Sequence, residues 1–441
     1  MKIFAPLLAF ALAFAGLAGV ANARTTNICA EALPPAPAPT AGGVSSAPLI
    51  VSGDSHVVVM EYEAWFGPRA VNFQPDVTLC LQSSDMQPVG GGYDSADPAV
   101  ITQHARWLSR MGVDAVTADL TNNVSCIFDG DNPAIIKQVC ADPWFRAQQL
   151  NIRDNTGNLY PVWSALGTPL KIIPILGGFD PDALTPDASD GRQRTALQKE
   201  AEYFGAFMAR FPNMNVIYDN KPLMLIYTGT PVEAARVEAI RDMLNASRLD
   251  RLYTFRLIAG YLDSQPSFWA KPNSMPNGPI EISPRWGFWS VVDRINFWGA
   301  PPAPYYPTYN LVASRVENLT VSIATAGQNG WNCATTPGQY SYCPDAALRY
   351  CGEGYSNGCD TGIYETLAEF MTFARSLKPT FLIIDQFNEF AQPDEGWNAN
   401  TNDDVEPTRQ WGYSAMRAII AQVTRYRETV SQPRIITAPL R

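Results

Sequence analysis

Thr380-Phe381-Leu382-Ile383-Ile384-Asp385-Gln386-Phe387-Asn388-Glu389-Phe390 is an unbroken apolar run that ends abruptly in Asp, Gln, Asn and Glu. Ionised carboxylates inside an apolar core are costly unless paired. The run therefore reads as a buried strand whose polar end sits at a mouth reached by water and solute. Seven runs of the same kind precede it: Val57 to Glu61, Val113 to Ala118, Lys171 to Leu176, Pro222 to Tyr227, Phe255 to Ala259, Arg285 to Trp289 and Leu319 to Ala324. Most are continuous rather than alternating, as expected of parallel strands covered on both faces.

Amphipathic helices separate the runs. Asp97-Pro98 opens one, with Pro98 at its first position and Val100, Ile101, Trp107, Leu108 and Met111 on one stripe. Thr230-Pro231-Val232-Glu233 has the form of a capping box, and Ile363, Leu367, Phe370 and Leu377 mark a helix before the last strand. Eight strand–helix alternations predict a (β/α)8 TIM barrel in the α/β class. A doubly wound open sheet is the alternative, but no Gly-rich phosphate loop follows the first strand.

Residues 1–23 carry Lys2, an apolar stretch from Phe4 to Val20 and a small-residue Ala21-Asn22-Ala23 end, the pattern of a secretory signal. Residues 24–48 are rich in Pro and Ala and read as a linker, which leaves 49–441 as one barrel domain. The expected location is therefore extracellular, with no membrane contact after signal removal and a monomeric state. The net charge of −10 argues against nucleic acid as a partner. Eight cysteines in a secreted chain predict disulfides, with Cys126–Cys140 and Cys351–Cys359 as plausible local pairs in long βα loops. Zinc spacing is absent, no cofactor is expected, and Asp129-Gly130-Asp131-Asn132 lacks the rest of a calcium loop.

Only two histidines are present. His56 falls at the base of the first strand and His104 within an outer helix, so neither is placed for a Ser-His-Asp triad. Carboxylate chemistry remains. The strand ends supply Glu61, Glu63 and Trp65, then Asp119, then Tyr227, then Trp286, then Asn388 and Glu389, with Glu395 and Trp397 in the loop beyond. Of Glu61 and Glu63 only one is expected to face the site, and Glu63 is taken as the one nearer the mouth. Paired acids with aromatic platforms suit glycosidic cleavage, where one group protonates the leaving oxygen and another acts as base or nucleophile. Glu406-Pro407 is read as the start of the final helix.

Several stretches, in order, resemble glycoside hydrolase family 99 and family-99-like secreted proteins. Tyr62-Glu63-Ala64-Trp65-Phe66-Gly67 is similar to the family's Tyr-x-Pro-Trp-Tyr-Gly. Tyr93 to His104 resembles its Tyr-x-Ser-x-Asp-Pro-x-x-Ile-x-x-His, and Lys221-Pro222 to Tyr227 its Gly-Lys-Pro-Val-x-x-x-Tyr. Asn388-Glu389-Phe390, Glu395-Gly396 and Val405-Glu406-Pro407 resemble Asn-Glu-Trp-x-Glu-Gly-Thr-x-Ile-Glu-Pro. The resemblance implies a barrel and retaining cleavage of α-mannosidic bonds. In that chemistry a carboxylate takes the proton of the sugar's own 2-hydroxyl, whose oxygen attacks the anomeric carbon. On this reading Glu389 is the base. Glu395 is the acid if Gln392-Pro393-Asp394 is an insertion; without the insertion the position falls on Gln392. The expected activity is that of a glycoside hydrolase acting on a polysaccharide or glycan. The alternatives are a non-catalytic carbohydrate-binding protein on the same scaffold and a carboxylate-based, metal-dependent hydrolase.

Overall fold

The computed structural model describes residues 33–37, 46–67, 93–121, 124–130, 132, 138–180, 182–228, 234–259, 288–290, 309–312, 315–322, 365–385, 387–388, 405–407 and 413–431. Its strands are β1 (Leu49–Val51), β2 (Val57–Glu63), β3 (Ala115–Leu120), β4 (Lys171–Leu176), β5 (Val216–Tyr218), β6 (Lys221–Tyr227), β7 (Thr254–Ala259), β8 (Phe288–Ser290), β9 (Tyr309–Val312), β10 (Arg315–Ser322) and β11 (Phe381–Asp385). The helices are α1 (Pro98–Met111), α2 (Val124–Phe128), α3 (Gln138–Ala141), α4 (Pro143–Leu166), α5 (Ala196–Arg210), α6 (Ala234–Ser247), α7 (Leu249–Leu252), α8 (Glu365–Leu377) and α9 (Ser414–Val430).

The eight strands expected from the sequence are β2, β3, β4, β6, β7, β8, β10 and β11. They pair in chain order, and each of the seven ladders between them is parallel, with β11 beside β2. Three further strands were not expected. β9 runs antiparallel to β10, and β5 runs antiparallel to β6 while pairing in parallel with β1. The β5–β6 link is a tight hairpin in which Asp219 and Asn220 both take positive φ, at 51° and 64°. That geometry suits the twist of paired strands and favours Asx residues.

Burial follows the pleat. On β2, Val58, Met60 and Tyr62 lie in the layer shared with the helices, whereas Val57 and Val59 join Ile173, Ile175, Leu223, Leu225, Ile258, Phe381 and Ile383 in a second cluster inside the sheet. Residues from β2 and β7 meet there, so the sheet is strongly curled. Its two ends also meet through side chains: Arg256 of β7 pairs with Glu317 of β10 at 2.8 Å. No ladder between β8 and β10 is found among the described residues, so the (β/α)8 description holds for strand order and curl, and ladder closure is not shown.

The outer helices follow their sequence signals. Asp97 caps α1 by accepting from the Ala99 N–H at 2.8 Å, with Pro98 at the first turn. The helix ends at Gly112, whose φ of +81° places it in the left-handed region that glycine tolerates. Leu367 and Phe370 of α8 are buried as expected; Ile363 and the Thr230–Glu233 capping box lie outside the described residues. Glu406-Pro407 does not start the final helix, which begins at Ser414. Cys126 and Cys140 form a disulfide in the long segment after β3, with Cα atoms 5.2 Å apart. The Cys351–Cys359 pair lies outside the described residues. No helix among the described residues is long and apolar enough to cross a membrane.

Candidate active site

The inward row of β2 runs Val57, Val59, Glu61, Glu63, and that of β3 runs Ala115, Thr117, Asp119. Each row changes from apolar to acidic at its C-terminal end, the end where parallel α/β sheets gather reactive groups. Glu63 lies directly opposite Asp119 in the ladder, and Glu61 opposite Thr117. Carboxylate oxygens of Glu61, Glu63 and Asp119 all lie within 4.8 Å of one another. Glu63 and Asp119 are buried and Glu61 partly so. The expectation that only one of the two glutamates faces the site is corrected here. Residues two apart on a strand share a face, so Glu61 and Glu63 reach the cluster together. Carboxylates gathered in this way are the donor type that hard divalent cations take.

The strand ends are fastened to each other by polar contacts. Trp65, buried, donates its indole N–H to the Asp119 carbonyl at 3.2 Å, which ties β2 to β3. The Asp119 carboxylate accepts the Thr121 N–H at 2.7 Å and so shapes the turn that follows β3. On the other side, Phe387 N–H bonds the Glu61 carbonyl. Asn388 accepts the Glu63 N–H at 2.9 Å and donates to the Glu63 carbonyl at 2.8 Å. Asn388 is fully buried, with its amide engaged by the protein itself. Tyr227, at the end of β6, is only partly buried and meets Phe179 edge-to-face at 5.4 Å. The pair lies beyond β4 and at the end of β6, on the side of the sheet's C-terminal strand ends, and Phe179 was not singled out from the sequence.

Behind β2 lies a buried polar chain. Tyr62, on the outward face, meets Nδ1 of His104 at 2.9 Å. His104 Nε2 lies 3.0 Å from one oxygen of Glu406, and Tyr93 donates to the other at 2.9 Å. Asn388 then donates to the Tyr93 oxygen at 2.8 Å. Burial pushes the Tyr62 and Tyr93 hydroxyls well above the usual phenol range, and the charge of Glu406 adds to it, so both stay protonated donors. Sequence reading placed His104 in an outer helix, correctly, but missed this partnership. His56 accordingly serves the base of the fold, with Nδ1 at 2.8 Å from the Pro379 carbonyl.

Beside β4, Glu200 of α5 is fully buried and accepts the Gly177 N–H at 3.0 Å. Burial holds its carboxyl well above the usual carboxylate range; the Gly177 bond opposes this, and Asp119 and Asp180 reinforce it. The neighbouring Lys199 binds both Asp129 and Asp187. The start of the calcium-like loop is therefore answered by a lysine, since Asp129 is committed to an ammonium group. Glu389, Glu395, Trp286 and Trp397 lie outside the described residues.

Comparison with known proteins adds little to this geometry. No family model matches the sequence, and no curated protein matches it. Among solved structures, the GH99 endo-alpha-mannosidase from Bacteroides thetaiotaomicron is similar at 12% identity and a TM-score of 0.43, over 85% of this chain and 98% of that one. The same enzyme in complex with bis-tris-propane gives 13% identity and the same TM-score and coverage. A "glycoside hydrolase-like protein" gives 10% identity and a TM-score of 0.39, over 85% and 96%. Likeness at this level transfers no residue roles, and the functional reading rests on the site itself.

Proposed function

We propose that this protein is a secreted glycoside hydrolase acting on a polysaccharide or glycan through carboxylates gathered at the C-terminal rim of its parallel sheet. The observation that carries the reading is the approach of Glu61, Glu63 and Asp119 to within 4.8 Å on adjacent strands. That cluster supports the reading because it offers a sugar ring charged acceptors for its hydroxyls at one rim. Tyr227 and Phe179 offer partly exposed rings on which a sugar face can stack. Glu389, which follows the anchored Asn388, is assigned as the base, and Glu395 as the acid that protonates the leaving oxygen. In the retaining scheme implied by the family resemblance, the base removes the 2-hydroxyl proton and O2 attacks the anomeric carbon as the glycosidic bond breaks. Water then reopens the intermediate. Glu63 and Asp119 hold the sugar's hydroxyls.

The test is a glycan panel, rich in α-linked mannans, digested by wild type, Glu389→Gln, Glu395→Gln and Glu63→Gln, with product anomers read by NMR. Cleavage by wild type, lost in Glu389→Gln and Glu395→Gln, is the expected result. Binding of several glycans without cleavage of any would establish the carbohydrate-binding alternative instead. Activity that disappears with EDTA and returns with calcium would replace the two-acid scheme by a metal-dependent one at Glu61, Glu63 and Asp119.

A further inference from the structure

We propose that Glu61, Glu63 and Asp119, with the Thr117 hydroxyl beside them, form a binding site for one calcium ion at the C-terminal rim of β2 and β3. The site goes beyond the glycosidase reading and does not depend on it. Within that reading, the hydroxyl-holding role of Glu63 and Asp119 passes through the ion.

Distance is the first argument. Calcium takes oxygen ligands at about 2.3–2.6 Å, so two oxygens on opposite sides of one ion lie about 4.6–5.2 Å apart. One carboxylate oxygen from each of the three residues lies within 4.8 Å of the other two, so all three can share an ion. Magnesium holds its ligands at about 2.0–2.1 Å, demands near-octahedral geometry and keeps several waters, which makes it the poorer fit to three strand-borne carboxylates. His56 and His104 are held elsewhere, by the Pro379 carbonyl and by Glu406, so a metal that favours imidazole finds none here.

The second argument is independent of the acids. Thr117 points to the same side of β3 as Asp119, two residues on, and lies opposite Glu61 in the ladder. It is fully buried, and its hydroxyl oxygen has no hydrogen-bond partner. Buried side-chain polar atoms are in large majority partnered. An ion held by the neighbouring carboxylates gives this oxygen its contact, either directly or through one of the ion's waters.

The frame around the cluster is also firm. The ladder pairs Glu61 with Thr117 and Glu63 with Asp119. The Thr121 N–H holds one oxygen of Asp119 at 2.7 Å, and the Trp65 indole ties β2 to β3 through the Asp119 carbonyl. Sites built on strands keep their geometry better than sites on loops. Buried charges are paired or coordinate metals, and a divalent ion brings two positive charges to a single point among three acids.

The experiment uses the full-length protein stripped with EGTA and needs no glycan. Calcium is titrated by calorimetry into wild type, Glu63→Gln, Asp119→Asn and Thr117→Val. Asp54→Asn serves as a control for the net charge of −10, because Asp54 is an exposed partner of Arg315 before the start of β2. Wild type should bind one equivalent with a Kd of about 10⁻⁴ M or tighter, and at least about tenfold more tightly than magnesium. Glu63→Gln and Asp119→Asn should each weaken binding at least about tenfold, Thr117→Val about threefold or more, and Asp54→Asn should match wild type. Terbium in place of calcium, excited through Trp65 beside Asp119, should give luminescence that added calcium displaces. The proposal is overturned by no calcium binding on the order of 10 mM, by magnesium binding as tightly, or by an unchanged Kd in both acid variants. An unchanged Kd in Thr117→Val overturns the part given to that hydroxyl. Should Glu63→Gln fail to fold, Glu61→Gln, at a partly buried position, carries the test with the same expected loss. A protein that binds calcium and cleaves no glycan overturns the proposed function alone; one that cleaves glycans and binds no calcium overturns the ion site alone.

Discussion

Replacing Glu317 by alanine removes the acceptor that joins the two ends of the curled sheet. Glu317 takes a 2.7 Å bond from the Tyr218 hydroxyl and a 3.0 Å bond from Nε of Arg256, with Nη2 at 2.8 Å. Arg256 is buried, its ring-stacked position 5.1 Å over Tyr218, and its other carboxylate partner, Asp219, is more than half exposed. Burial alone would favour the neutral guanidine; Glu317 more than offsets it. Truncation leaves a buried cation with one exposed partner, a loss of about 3–5 kcal/mol, with about 1 kcal/mol of it from the Tyr218 bond. Against a typical total stability of about 5–15 kcal/mol this is a large share. Urea unfolding followed by both tryptophan fluorescence and circular dichroism measures it, the two probes checking that unfolding is a single transition. Glu317→Gln, which keeps an acceptor but no charge, should fall between. The double variant Arg256→Met/Glu317→Leu should recover to within about 1 kcal/mol of wild type, because no unpaired charge remains. A Glu317→Ala loss below about 1 kcal/mol, or a double variant no better than the single, would refute the reasoning.

Glu200→Gln should stabilise the protein near pH 7 and make little difference near pH 4. The folded carboxyl is held above its unfolded value, so native stability is fully present below the unfolded pKa and declines as pH rises toward the folded one. Thermal melts of both proteins across pH 4 to 8 read the divergence, and parallel curves would contradict it. Removal of the Cys126–Cys140 bridge by a double serine replacement frees a loop of 14 residues' separation and should cost about 3 kcal/mol in urea. Asp97→Ala deprives α1 of its cap and should cost about 1 kcal/mol, with Asp97→Asn nearly neutral in the same assay.

Most of the eight parallel strands were readable because strands covered on both faces are written as continuous apolar runs. Lys171 to Leu176 matches β4 to the residue. β1, β5 and β9 escaped because three or four residues carry too little pattern, although Asp219-Asn220 after Val216-Ile217-Tyr218 was a hairpin signal open to notice. The site was legible in part for the same reason. A change from apolar to acidic at a strand end marks a mouth, and Glu63 and Asp119 were found that way. Glu61 was set aside by a miscounted pleat. The bond from Tyr93 to Glu406 joins residues 313 positions apart, and nothing local in either segment announces the other. Phe179 was missed because it belongs to a turn after β4 rather than to any apolar run.

β2 carries two messages in opposite phase. Its odd residues Glu61 and Glu63 present carboxylates to the interior, while Tyr62 between them reaches outward to His104. The alternation couples chemistry and bracing through one backbone, so neither can be shifted alone. Inserting or deleting one residue in this strand would turn both carboxylates into the helix layer and bring the phenol into the mouth. Changes of two residues would keep the phase. Any redesign of this rim, or any natural drift in it, is therefore confined to even steps along β2, and length variation has to be absorbed in the loops on either side.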